Sequence, residues 1–329
     1  MSTDALPTPT AEGNASPSTF RIATAFAAVY LIWGSTYLVI KLVSMHGAFV
    51  MAGTRFMFAG TVLLAFAWWR KWIRSGDFRA SSWLHSTVVG TCLMLIGNGG
   101  VAIATKKLDS GIVALMTAVT PLWLVGLDAL MHRTHRVSWA AWLGIALGIA
   151  GLGVLRLGSV QASSAVSTTG ILLMLLACFG WALGSVWSKR PGGAHSPIVG
   201  TAMQMLAGGV VLMCASVPKE FMFGDEWSLL ASSPPDFATL MQWLYLVIFG
   251  SLCGFTAYIW LLRHQPAARV ATYAYVNPVV ALMLGSVLLE EVISAQTLLA
   301  CALLLGGVAV IQLAKARKTF FSRAVAAAE

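Results

Sequence analysis

The chain from about residue 20 to residue 314 states nearly the same pattern twice, with an odd number of apolar segments in each statement. Trp33-Gly34-Ser35-Thr36 followed by Lys41 returns 148 positions later as Trp181-Ala182-Leu183-Gly184 followed by Lys189. Ala59-Gly60 returns as Ala207-Gly208 at the same offset, whereas Pro121 returns as Pro278 at an offset of 157, so a loop insertion separates the copies. Five apolar segments per copy force the second copy to enter a membrane in the opposite orientation. Inverted repeats of this kind build secondary transporters, in which one site faces either side in turn.

Hydrophobic residues make up 58% of the chain and charged residues 10%, with a mean hydropathy of +0.80. A soluble domain of this length cannot hide that much apolar surface. The spans 22–44, 49–68, 83–104, 111–131, 139–157, 169–187, 198–217, 238–262, 270–289 and 297–314 predict an all-α membrane protein of ten transmembrane helices, arranged as two inverted five-helix repeats. Helices satisfy their own backbone in lipid, and the alternating ten-residue segments of a β-barrel are absent. The expected organisation is a disordered tail over 1–20, a first repeat over 21–158, a linker loop over 159–168, a second repeat over 169–315 and a basic tail over 316–329.

A net charge of +9 would suit nucleic acid, but its distribution argues for topology. With both termini cytoplasmic, fifteen Lys/Arg fall on inner segments, four fall on outer ones (Lys106, Lys107, Arg156 and Lys219), and Lys41 and Arg55 lie within spans. This bias orients a multi-pass protein of the inner (plasma) membrane. Its basic residues serve orientation and lipid heads, so the expected partners are the bilayer and a small-molecule substrate, with no nucleic acid. The small-residue pairs Gly144/Gly148, Gly180/Gly184 and Gly250/Gly254 let helices approach closely, ordinarily within one chain and alternatively in a homodimer.

The outer loop near 218–237 carries Glu220, Asp225, Glu226 and Asp236, and a solvated surface is the plainer explanation. The five cysteines stand singly in apolar spans. The histidines lack metal-type spacing, and no phosphate-binding glycine motif occurs, so no enzyme activity and no cofactor or metal are expected.

The residues expected to line a cavity are Trp33, Ser35, Thr36, Lys41, Asn98, Trp181, Tyr273, Tyr275 and Asn277, with Arg55, Gln204 and Glu291 in a second tier. An intramembrane cation must face protein or water, and a cationic lining favours an anionic substrate. Lys41 is balanced between a salt bridge and the cavity. Pro121 and Pro278 remove backbone donors in mid-span and are expected as helix breaks. Asp128 is expected to pair with Arg133 or Arg136. No mid-membrane carboxylate offers a proton relay, which leaves facilitated diffusion, exchange, or coupling through an end-of-helix carboxylate open.

The runs Tyr30 to Tyr37, Met51 to Phe56, Gly97 to Gly100, Gly180 to Ser185 and Ala271 to Pro278 resemble the drug/metabolite transporter superfamily, in its EamA family of YedA-type inner-membrane exporters. The resemblance implies a central cavity and cargo among amino acids, other metabolites or drugs, with export as the direction. It also implies an acidic residue after the proline helix in a Glu-x-x-Ser/Thr pattern, met by Glu291 to Ser294; the first copy has His135 to Ser138 instead. The alternatives are a nucleotide-sugar or sugar-phosphate exchanger and a non-transporting membrane scaffold.

Overall fold

The computed structural model describes residues 18–132, 139–158, 167–265, 270 and 272–326, and their regular structure is entirely helical. Helix α1 is Thr19–Ser44 and α2 is Ala48–Trp69. Helix α3 starts as Ala80–Gly90, passes through a π-helical stretch, Thr91–Gly99, and ends as Gly100–Ala104. Helix α4 starts as Ser110–Met116, tightens to a 3-10 turn at Thr117–Val119 and resumes as Thr120–His132. Trp139–Gly158 is α5 and Thr168–Trp187 is α6. Pro197–Phe223 is α7, and Trp227–Ser232 is the short α8. Helix α9 repeats the architecture of α3, with Phe237–Tyr245, a π-helical Leu246–Cys253 and Gly254–His264. Tyr273–Leu289 is α10 and Ala295–Ala326 is α11.

Among the described residues, six helices are long and apolar enough to cross a membrane: α1, α2, Ala80–Ala104, α6, α7 and Phe237–Tyr258. Four shorter apolar helices accompany them, Ser110–Leu124, Trp142–Leu155, Tyr273–Leu289 and Ala295–Val310. Large apolar side chains cover their outward faces, among them Leu31, Ile149, Leu172 and Val287, as lipid requires. Trp68 and Trp69 project near the end of α2, and the Arg70 guanidinium lies over the rings of Trp69 and Trp72.

Helix pairing maps onto itself when the two copies are exchanged. Helix α2 packs on α7, α5 on α11 and α4 on α10. The α1–α10 contact is matched by α6–α4, α1–α9 by α6–α3, and α3–α7 by α9–α2. Glycine makes the closest crossings. A Cβ on Gly90 of α3 would stand 2.5 Å from the carbonyl oxygen of Gln204, and one on Gly208 of α7 would stand 2.7 Å from that of Gly90. Backbones meet there directly, as packing-driven association in lipid favours. Gly180 and Gly184 instead receive the side chains of Ile96 and Leu93 of α3.

Residues 1–17 of the tail expected over 1–20 and 159–166 of the linker expected over 159–168 lie outside the described residues, as do His135, Arg133 and Arg136.

Candidate functional site

Three polar groupings lie in the bundle. The first joins α1 to α9 and α10. Trp33 donates from Nε1 to the carbonyl of Gly250 at 3.2 Å, an oxygen within the π-helical stretch of α9. A π turn displaces carbonyls from their ordinary helical partners, which makes such an oxygen available. Gly254 permits the approach, because a side chain there would occupy the position of the Trp33 ring. The ring packs edge-on to Phe255 and Tyr273, with centroids at 5.5 and 5.3 Å, and is tilted against Tyr258. Ser35 bonds to the Tyr245 hydroxyl at 2.6 Å, and the hydroxyls of Ser35 and Thr36 donate back to the carbonyls of Ile32 and Trp33. Asn277 is buried; oriented to satisfy its surroundings, its amide donates to the carbonyls of Tyr273 and Tyr30, each at 3.2 Å.

The second grouping closes the bundle end at which α1 finishes. Lys41 Nζ lies 2.8 Å from Glu291 and 3.4 Å from Asp109. Glu291 also accepts from Ser110 N at 2.8 Å, Ser110 Oγ at 2.9 Å and Gly111 N at 3.3 Å. The carboxylate from the α10–α11 loop therefore caps the start of α4, where unpaired N–H groups and the helix dipole favour an anion. Gly285 leaves room for it. Burial pushes the Glu291 carboxyl up, but the bonds from Lys41, Ser110 and Gly111 outweigh that and hold it below the usual carboxylate range. Three residues on, the Ser294 hydroxyl accepts from Thr297 N at 3.1 Å and caps α11, so the Glu-x-x-Ser run caps two helices at once.

The third grouping is a narrow pocket with a cavity volume of about 10 Å³, lined by Ile40, Val43, Ser44, Ala48, Met51, Ala52, Arg55, Asn98, Ala102 and Leu246. Arg55 is 7% exposed. Its hydrogen-bond partner among the described residues is Asn98 Oδ1, at 3.3 Å, and its Nε has none. Asn98 is held by the π-helical stretch of α3, where its Nδ2 donates to the carbonyl of Leu93 at 3.0 Å.

Two further carboxylates cap helices: Glu226, expected in a solvated loop, and Asp77, which the sequence does not single out. Glu226 is fully buried and accepts from Phe49 N and Val50 N at 2.8 and 3.0 Å, capping α2, with Lys219 Nζ 2.7 Å away. Asp77 is also fully buried and caps α7 from the opposite end of the bundle, accepting from His195 N at 2.7 Å and Ser196 N at 3.4 Å. Burial raises the Asp77 carboxyl, but backbone N–H bonds from Arg74, His195 and Ser196 hold it lower than usual. The acidic outer loop is thus partly internal: Glu220 accepts from the backbone of Glu226, Trp227 and Ser228, and Asp225 pairs with Lys219 and Lys106.

Trp181 stands apart from Trp33, near Gly97 of α3. Tyr275 and Gln204 are half-buried on α10 and α7. Pro121 is the second residue after the 3-10 turn in α4, whereas the helical course of α10 continues past Pro278. Asp128 lies on α4, while its expected partners are outside the described residues. Among the described residues no group of three or more His, Cys, Asp or Glu could hold a metal ion.

Comparison with known proteins is consistent in kind. The model of the EamA-like transporter family matches residues 21–157 and again 168–313. The inner membrane transporter YedA of Escherichia coli (strain K12) is 35% identical over 294 residues, covering 88% of this chain and 90% of that protein. A protein of Salmonella typhimurium named as a probable amino-acid metabolite efflux pump is 25% identical over 286 residues, covering 85% and 90%. A crystal structure with 22% identity superposes with a TM-score of 0.60, covering 91% of this chain and 99% of that one, and so shares the fold.

Proposed function

The chain belongs to the EamA-like transporter family, and from that premise we propose that it is a secondary carrier exporting small organic metabolites, amino acids or drugs across the inner membrane by alternating access. The observation that carries the reading is the pocket at Arg55 and Asn98: α1, α2 and α3 of the first copy supply nine of its ten lining residues, and Leu246 of α9 closes it from the second copy. A site bounded by both halves is what rocking of one repeat against the other would open to either side.

The six long and four shorter apolar helices support ten crossings, and the exchangeable helix pairing supports an inverted repeat. With both termini cytoplasmic, the end bearing Lys41 and Glu291 faces outside, and their ion pair is its closure. Trp33, Ser35, Thr36, Tyr273 and Asn277 serve as struts that carry motion between α1, α9 and α10, while Pro121 and Pro278 serve as hinges. The outward direction leans on the efflux relative.

The test compares extracellular metabolites of cells with and without the protein, followed by counterflow in proteoliposomes for each solute that differs. Accumulation of particular solutes outside expressing cells is expected. No difference in any solute and no counterflow would sink the reading. Because Arg55 suits phosphate as well as carboxylate, exchange that requires a phosphorylated solute on both sides would favour the sugar-phosphate alternative.

A further inference from the structure

We propose that Arg55, with Asn98 beside it, binds the carboxylate of the transported solute, which makes the substrates organic anions or zwitterions. This rests on the carrier reading above. Arg55 lies seven residues into α2, about 10 Å along the helix from its start. A cation at that depth is costly and is kept where it pairs or works. It does not pair with a carboxylate among the described residues. Glu291 is taken by Lys41 and the start of α4, and Glu226 by Lys219 and the start of α2. A guanidinium has five N–H donors in a planar fork matched to a carboxylate. One of them is used, on Asn98, and Nε is buried with no acceptor.

The second copy supplies the control. At the offset that aligns Ala59-Gly60 with Ala207-Gly208, Arg55 corresponds to Met203, which is fully buried in the equivalent helix. The inserted loop precedes α9, so α3 and α9 align at the offset of Pro121 and Pro278; this matches Gly97, against Trp181, with Gly254, against Trp33, and places Phe255 at the position of Asn98. The pairings α2–α9 and α7–α3 are equivalent, so the same architecture is built once with Arg and Asn and once with Met and Phe. Packing therefore does not require the polar pair. The rest of the pocket is mostly apolar, with Ile40, Met51 and Leu246, and Ser44 adds a hydroxyl. In this closed form the pocket is too small for an organic solute, and its lining would meet one with an anionic end and a compact body once the halves part.

The test uses the full-length protein, purified and reconstituted, with L-alanine, L-glutamate, succinate and benzoate as carboxylates, glucose 6-phosphate as the phosphate arm, and glucose and choline as neutral and cationic controls. Thermal unfolding and intrinsic tryptophan fluorescence report binding. At least one carboxylate is expected to raise the unfolding midpoint of the native protein, with glucose and choline inert. Arg55→Met, which installs the residue of the second copy, is expected to fold and to lose carboxylate binding at least tenfold, while Arg55→Lys weakens it less. Asn98→Asp supplies the guanidinium with a built-in anion; it is expected to raise the midpoint without solute and to abolish the response to carboxylates. The proposal is overturned if Arg55→Met or Asn98→Asp binds carboxylates as the native protein does, if the controls bind equally well, or if only glucose 6-phosphate binds. Unchanged export by Arg55→Met would overturn it while leaving the carrier reading intact, whereas a native protein that neither binds nor exports any solute would remove both.

Discussion

Replacing Glu291 by Gln tests whether the Lys41 cluster is a gate. The substitution keeps the shape and one acceptor oxygen but removes the charge that meets Lys41 Nζ at 2.8 Å and three donors of Ser110 and Gly111. A hydrogen bond to a charged group contributes about 1.5–3 kcal/mol. Loss of an anion at a helix start costs about 0.3–1 kcal/mol. The Lys41 side chain is 26% exposed and retains Asp109 at 3.4 Å, so screening and a remaining partner reduce the first contribution. The net cost to the closed end is roughly 2 kcal/mol, which corresponds to about a 30-fold shift towards states open at that end. Ser44 lines the pocket and is 3% exposed, so Ser44→Cys reports the opening through its reaction with a membrane-impermeant maleimide. With the native cysteines as background, external labelling of Ser44→Cys is expected to accelerate by an order of magnitude or more in the Glu291→Gln protein. Labelling within twofold of the parent, together with lowered thermal stability, would refute the gate and leave Glu291 as a helix cap alone.

The same carboxyl makes a statement about pH. Its folded pKa lies below the unfolded value of about 4.3, so its stabilisation is present above that value and is lost as pH falls through the folded one. Labelling of Ser44→Cys, divided by the rate of a free thiol at the same pH, should therefore be flat between pH 5.5 and 8; a transition in that ratio abolished by Glu291→Gln would contradict it. Asp77→Asn leaves the start of α7 with a weaker acceptor and should cost about 1–3 kcal/mol, read as a lower unfolding midpoint in detergent. Gly254→Ala occupies the space of the Trp33 ring and breaks its bond to Gly250, so altered tryptophan fluorescence and slower transport are expected. Unchanged values for both would show that α1 and α9 do not depend on that contact.

The helical bundle was legible because apolar spans and the repeated Trp33 to Lys41 pattern follow from local chemistry. Pairing across the chain was not. Lys41 was balanced between salt bridge and cavity, and its partner Glu291 stands 250 residues away, a neighbour only after folding. Arg55, ranked behind Lys41, has no carboxylate partner among the described residues, because Glu226 and Glu291 serve helix starts. Trp33 reads as a cavity ring until Gly254 is known to receive it. Glu226 reads as one of a group of solvated loop acids, and nothing in the sequence singles out Asp77. One signal was present for Glu226: α2 begins after Gly47, which has no side chain to cap it, so an acceptor had to come from elsewhere.

The crossed caps also order the making of the protein. Asp77 is already synthesised when α7 emerges and needs it. The starts of α2 and α4, by contrast, wait for Glu226 and Glu291, which belong to the second copy. The first five helices therefore leave the ribosome with one end unfinished, and that end is completed only when nearly the whole chain has been inserted. A first half produced alone would lack both acceptors, so its assembly depends on the second half arriving, whether in the same chain or as a separate piece.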